Sequence, residues 1–369
     1  MAEDKLARAL ALHEHARALQ DSGNLADAES RCRKALDLFE EMDGPVHPDV
    51  ANLLHSLGAI LEQQGRFDDA ETCASRAIAI MDEIAGLVEG PEAALILIQS
   101  LGLLGTARRQ KGRYREAEPP LRRAVELSEP CADGDALVIA LNDLGVLYKY
   151  SGKFEHAERL YCRALAMARE RYGDIHPLAA TLYHNLGGLE HARGRFAAAE
   201  PPAHRALEIR RELLGEDHPD TLADACAYGG VLDGLGRHAE SRPIYERALR
   251  VYRKIYGPEH FEVAATLHNL AGVDAAEGDL KCAARRYRLA LRIKGRLLGH
   301  AHPEWALTAN NLAAVLLESG RGREAGGLLL RAITALEPSL EPGHPLLALS
   351  RANLAAVRKQ HQRLAVEGP

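Results

Sequence analysis

Aromatic residues make up only 5% of this 369-residue chain, with a single tryptophan, although hydrophobic residues reach 47% and much of that share is alanine. A thick aromatic core is excluded, and close packing of helices through small side chains takes its place. Long apolar runs are missing as well. No stretch approaches the roughly 20 residues needed to span a bilayer, and the opening MAEDKLARALALHEHARALQ lacks the uninterrupted apolar centre of a signal peptide. A cytoplasmic protein without a membrane partner is expected. The formal net charge of −6 lacks the basic excess of a general nucleic-acid binder, and the run Arg285-Arg286-Tyr287-Arg288 reads as a solvated helix face. The six cysteines (Cys32, Cys73, Cys131, Cys162, Cys226, Cys282) form no C-x-x-C pair. They read as buried or half-buried free thiols in a reducing compartment.

Catalytic signatures are also lacking. The chain has no G-x-x-x-x-G-K-[ST], H-E-x-x-H or G-x-S-x-G, and no dinucleotide fingerprint after a strand. The reading is therefore a protein that is not an enzyme, with no cofactor and no metal.

What the chain does contain is a repeat. Glycines at 23, 65, 112, 152, 194, 236, 278 and 320 each separate two helical patterns, mostly 42 residues apart. Twelve residues after each stands an alanine, from Ala35 to Ala332, and seven before each stands only Ala or Gly, from Ala16 to Ala313. In the most regular unit, Leu182, Leu186 and Leu189 place one apolar face on a first helix from about Pro177 to Arg193. A second helix then runs from about Ala197 to Leu214. Pro177, Pro219, Pro303 and Pro345 suit the first helical position, and Gly173, Gly215, Gly257 and Gly299 read as left-handed C-terminal caps. The turns are short, so each unit is an antiparallel helix pair. The link between Ile84 and Ala93 is longer, and Pro130 to Asp135 replaces the usual His-Pro start. The prediction is an all-α solenoid of eight pairs over residues 1–364, closed by a capping helix at 345–360, with a frayed tail at 365–369.

A helical hairpin with Leu186-Gly187, Gly194, Phe196, Ala199 and Ala206 at these offsets resembles the tetratricopeptide repeat. The 42-residue period, the His-Pro pairs at His47, His176, His218, His302 and His344, and the A-E-x-x-x-x-R-A-L second helix resemble the kinesin-light-chain subclass. The resemblance implies a right-handed superhelix whose first helices line a concave groove for peptides. It also implies that an asparagine nine residues before the turn glycine clamps a peptide backbone. That column reads Glu14, Ser56, Leu103, Asp143, Asn185, Ala227, Asn269 and Asn311, and Asn353 continues it.

The residues make a case of their own. Asparagine is a poor helix former and gains nothing mid-helix unless its donor and acceptor are used. Asn185, Asn269, Asn311 and Asn353 would form a ladder suited to an extended chain. The preceding column adds Asn142, His184, His268 and Asn310, and the C-terminal ends of the first helices add Lys149 and His191. The other reading of the asparagines is that they bond to the neighbouring repeat and order the array. The His-Pro histidines stand too far apart to chelate one ion and are expected to cap or pack. Gly229, Gly230, Gly234 and Gly236 crowd the first helix that starts at Pro219 and suggest a softer point. The function expected is a scaffold or adaptor holding a peptide or protein segment. The alternative is a regulatory sensor whose superhelix closes on a small ligand or signalling peptide. No oligomeric state is implied.

Overall fold

The computed structural model describes residues 2–21, 23–86, 90–131, 134–338 and 344–366, with side chains from 4 to 359, and among them are seventeen helices and no strand. Two compact units divide the chain, Met1–Leu147 and Tyr148–Pro369. The first holds α1 (Ala2–Asp21), α2 (Leu25–Asp43), α3 (Pro48–Gln63), α4 (Phe67–Glu83), α5 (Pro91–Gln110), α6 (Tyr114–Ser128) and most of α7 (Gly134–Tyr150). The second holds α8 (Phe154–Tyr172), α9 (Pro177–Ala192), α10 (Phe196–Leu214), α11 (Pro219–Gly234), α12 (His238–Tyr256), α13 (Phe261–Ala276), α14 (Leu280–Leu298), α15 (Pro303–Glu318), α16 (Gly322–Leu336) and α17 (Pro345–Val366). Odd-numbered helices are the first members of the pairs and are termed A; even-numbered helices are B.

The small-residue columns are where A and B cross. The eight alanines from Ala35 to Ala332 are at most 1% exposed. A methyl group on Gly187 would lie 3.0 Å from the Ala203 backbone nitrogen, and one on Gly105 would meet the Leu121 side chain at 2.3 Å. The crowded glycines of α11 have the same cause: added Cβ atoms would reach the Tyr245 ring at 2.9 Å from Gly229 and the Phe196 ring at 2.2 Å from Gly234. The glycines admit aromatic rings, and α11 is an unbroken helix.

Each His-Pro histidine, and His260 before Phe261, is an N-cap. Nδ1 of His47, His176, His218, His260, His302 and His344 accepts the backbone N–H two residues on, at 3.1 to 3.3 Å. This is the role that Asp or Ser usually fills at a helix start. His344 does more, since its Nε2–H donates to the Tyr150 carbonyl at 2.5 Å within the second unit.

Four expectations are corrected. The glycines that end the B helices have positive φ, but ψ lies near 180° (Gly215, φ 82, ψ 172; Gly257, φ 80, ψ 178). They occupy the extended mirror region that glycine alone tolerates, not the left-handed helical well. Cys162 is exposed on α8 while the other five free thiols are buried or half-buried. In the basic run, Tyr287 is only 3% exposed and Arg286 reaches back to the buried carboxylate of Asp274 at 2.7 Å. The C-terminal helix runs past Gln360 to Val366. Part of the irregular Pro130 to Asp135 link, part of the long link after Ile84, and residues 367–369 lie outside the described residues.

Candidate functional site

The predicted site residues share the helix-A faces, and the structure shows what most of them touch. Within the second unit, the residue ten before the turn glycine in one repeat bonds to the residue twelve before it in the next, 40 residues on. His184 Nδ1 lies 2.6 Å from Asp224 Oδ1, His268 Nδ1 3.0 Å from Thr308 Oγ1, and Asn310 Nδ2 2.7 Å from Ser350 Oγ. Cys226 and Thr266 stand in the same register in the next repeat.

The direction of these bonds follows from their far ends. Thr266, Thr308 and Ser350 give their hydroxyl hydrogens to the carbonyls of Glu262, Glu304 and Leu346 in their own helices. The oxygens of Thr308 and Ser350 must therefore accept, which makes His268 Nδ1–H and Asn310 N–H the donors. The Asp224 carboxylate accepts from His184 in the same sense and is held from the other side by Arg210 at 3.3 Å.

A second set of rungs runs backward across 43 residues. Asn311 Nδ2 donates to His268 Nε2 at 3.1 Å and Asn353 Nδ2 to Asn310 Oδ1 at 3.2 Å. In the first unit His13 Nε2 and Ser56 Oγ make the equivalent contact at 3.0 Å. His268 thus has both nitrogens engaged, and burial, reinforced by the Lys294 charge, pushes its pKa down to about 3.

The ladder breaks once. In α11 the two positions are Cys226 and Ala227, so Asn269 of the next repeat has no acceptor behind it and His184 of the previous repeat has no donor ahead of it. The half-buried Asn269 carboxamide has no hydrogen-bond partner among the described residues, and neither has His184 Nε2. Gly188, Gly230 and Gly272 stand at one position in α9, α11 and α13, with Lys149 Nζ and His191 Nε2 close beside the first two.

The remaining candidates lie around this surface. Asn185 is buried at 7% exposure. Lys149 Nζ lies 5.0 Å from the centre of the Tyr150 ring, and a Cβ on Gly188 would stand 3.5 Å from it. His191 stands edge-on to Phe196 with ring centres 5.2 Å apart, and its Nε2 would lie 3.7 Å from a Cβ on Gly230; burial lowers its pKa. Asn353 borders a hollow of about 300 Å³ with Ala314, Leu317, Glu318, Leu329 and Val357. Asn142 lies in the first unit and donates to Asp143 at 3.3 Å. Burial lifts the Asp143 carboxyl to about 6 against the pull of Arg109.

The sequence reading missed Asp224, Thr266, Thr308 and Ser350. Their signal was present, as polar residues at 42-residue steps in a column that holds Leu182 and Ala140 in earlier repeats. Among the described residues, no three His, Cys, Asp or Glu side chains gather as metal ligands. No helix is long and apolar enough to cross a membrane.

Paired helices stacked in register, with an inter-repeat polar ladder, define a helical-repeat protein. Tetratricopeptide repeat profiles match residues 7–83, 95–170 and 225–295, and another matches 179–220, so the chain belongs to the tetratricopeptide repeat family. Solved structures similar to it include BtubC (BKLC) from P. vanneervenii, at 24% identity over 64% of this chain and 94% of that one, with a TM-score of 0.44. A Rap protein complexed with competence and sporulation factor is similar over 98% of this chain and 99% of its own, at 13% identity and a TM-score of 0.60. The Rap conjugation gene regulator of plasmid pLS20, in complex with the Phr* peptide, matches over 90% and 95%, at 13% identity and a TM-score of 0.65. No curated protein sequence matches the chain.

Proposed function

We propose that this protein is a non-enzymatic scaffold that holds an extended peptide along the A-helix face of α9, α11 and α13. The observation that carries the proposal is the break in the ladder at Cys226-Ala227, which leaves the Asn269 carboxamide and His184 Nε2 unused on either side. A carboxamide offers a donor and an acceptor, the complement of one peptide unit, and the second imidazole nitrogen offers a further hydrogen-bonding position. Two helix spacings separate the groups, roughly 20 Å, which about six extended residues span. The Phr* peptide bound in the similar Rap conjugation gene regulator supports the reading. The free cysteines suit a reducing compartment such as the cytoplasm.

The test is selection from a phage-displayed random 12-mer library on the wild-type protein. Selected peptides should bind Asn269→Ala about tenfold more weakly, the loss of one or two buried hydrogen bonds, with the circular dichroism unchanged. Equal affinity for the variant would refute the assignment.

The similarity to Rap proteins over nearly the whole chain also favours a second reading, in which the bound peptide is a signal and the superhelix closes on it. Small-angle scattering of a selected complex separates the two. A reduced radius of gyration on binding supports the sensor, and an unchanged one supports the scaffold.

A further inference from the structure

The break at α11 is the one interruption of the ladder within the second unit; the first unit has its own, at α5. Ten and nine residues before the turn glycine, where α3 carries His55-Ser56 and α7 carries Asn142-Asp143, α5 carries Gly102-Leu103. Ser56 still meets His13 at 3.0 Å between α3 and α1. At α5 the rungs on both sides fail. The backward rung of Asp143 would fall on position 102, where glycine has nothing to bond. A Cβ there would stand 3.5 Å from Asp143 Oδ2, and that oxygen has no hydrogen-bond partner among the described residues. On the other side, His55 Nδ1, the nitrogen that His268 spends on Thr308, is buried without a partner. Ser100, in the forward position, gives its hydroxyl hydrogen to the Ile96 carbonyl at 2.7 Å.

Packing does not account for Gly102. At Gly105, one turn on, an added Cβ would strike the Leu121 side chain at 2.3 Å, whereas 3.5 Å from Asp143 Oδ2 is ordinary contact. A glycine inside a helix is less stable than alanine, so what Gly102 leaves is room beside a carboxylate. The surrounding charge says what would enter. Two carboxyls, Glu62 and Asp143, lean on one arginine, Arg109, and burial raises both against its pull, Asp143 to about 6. A ligand group that brought a positive charge and N–H donors to Asp143 would supply the missing rung and the missing charge together. Later repeats place Asn185, Asn269 and Asn311 in the column of Asp143. A carboxylate there exchanges the preference of a carboxamide for a neutral peptide unit for a preference for a cation.

We infer that the gap at α5 is a second binding site, for an arginine or lysine side chain of an extended peptide, held by Asp143 beside Gly102 and bordered by His55. It rests on the same reading of a ladder break as the site at α11, and separate variants tell the two apart. Clones selected from the random 12-mer phage library on the wild-type protein are sorted by their affinity for Asn269→Ala and for Asp143→Asn; asparagine already occupies this column in other repeats, so the second substitution keeps the fold. One class of clones should carry arginine or lysine, bind Asn269→Ala as tightly as wild type, and lose at least about tenfold on Asp143→Asn. In a synthetic peptide of that class, replacing the cationic residue by neutral citrulline should weaken binding to wild type about tenfold and binding to Asp143→Asn little. A photoreactive copy of the peptide on the unaltered protein should cross-link within α3, α5 or α7, a readout that does not depend on any variant folding. If no clone depends on Asp143, if citrulline weakens binding to both proteins equally, or if the cross-links fall only on other helices, the inference is overturned. Clones that depend on Asn269 alone would still leave the α11 site standing, and clones that depend on Asp143 alone would remove the α11 site and keep this one.

Discussion

Asn311 on α15 donates to Nε2 of His268 on α13, and His268 passes its Nδ1–H back to Thr308 one turn earlier on α15, so one imidazole is held at both nitrogens by the neighbouring repeat. The ring must stay neutral for both bonds to stand. Its folded pKa lies near 3, below the ordinary 6.5, so below about pH 6.5 the unfolded chain binds a proton that the folded chain refuses. Stability then falls with pH down to about 3, by up to about 1.4 kcal/mol per pH unit from this group. Urea midpoints between pH 7 and 5 should fall less steeply for His268→Gln than for wild type. Parallel slopes would contradict the neutral ring.

Lys294 and Glu304 form a second constraint nearby. The lysine is 1% exposed, and its Nζ stands 2.6 Å from Glu304 Oε2. The Lys294 charge holds the Glu304 carboxyl down to about 2. The stabilisation is complete above about pH 4.5 and is lost as pH falls toward 2. Glu304→Gln at pH 7 should cost about 3–5 kcal/mol by stranding a buried ammonium, and adding Lys294→Met should recover much of it. Chemical denaturation of the three proteins checks this.

The hydroxyl column missed in the sequence has a defined energetic role. Thr308→Val keeps the shape but leaves the His268 Nδ1–H without its acceptor, for a loss of about 1–3 kcal/mol. Ser350→Ala should behave alike through Asn310. Denaturation midpoints that do not move would show that the rungs contribute nothing net.

The glycines of α11 are expected to be rigid. Gly234→Ala would push a Cβ against the Phe196 ring and should destabilise by about 1–3 kcal/mol. In the wild-type protein, amides across 222–236 should exchange as slowly as those of α9 and α13. Fast exchange there would restore the softer point suggested by glycine content alone.

Most of the fold was legible because its determinants are periodic: a glycine for each turn, an alanine for each crossing, a proline at most A-helix starts. The purpose of the asparagines was only half legible. Their cost mid-helix shows that their polar groups are used, but whether a ligand or a neighbour uses them depends on which residues lie 40 and 43 positions away once the helices stack. Asn310, Asn311 and Asn353 proved to serve neighbours. Asn269 stands apart because Cys226 cannot return its bond, a fact visible only when the two columns are read against each other. The ψ of the B-helix caps was not readable, since glycine identity signals positive φ and leaves ψ open.

The account turns on that gap, and completing the ladder tests it directly. Cys226→His/Ala227→Asn would give Asn269 the acceptor that Asn311 finds in His268, and would give His184 the donor that His268 finds in Asn311. The measurement is calorimetric titration of a selected peptide into this double variant beside wild type. The prediction is a protein at least as stable as wild type whose affinity for the peptide has fallen about tenfold or more. A folded double variant that binds the peptide as tightly as wild type would contradict the claim that the break in the ladder is the peptide site.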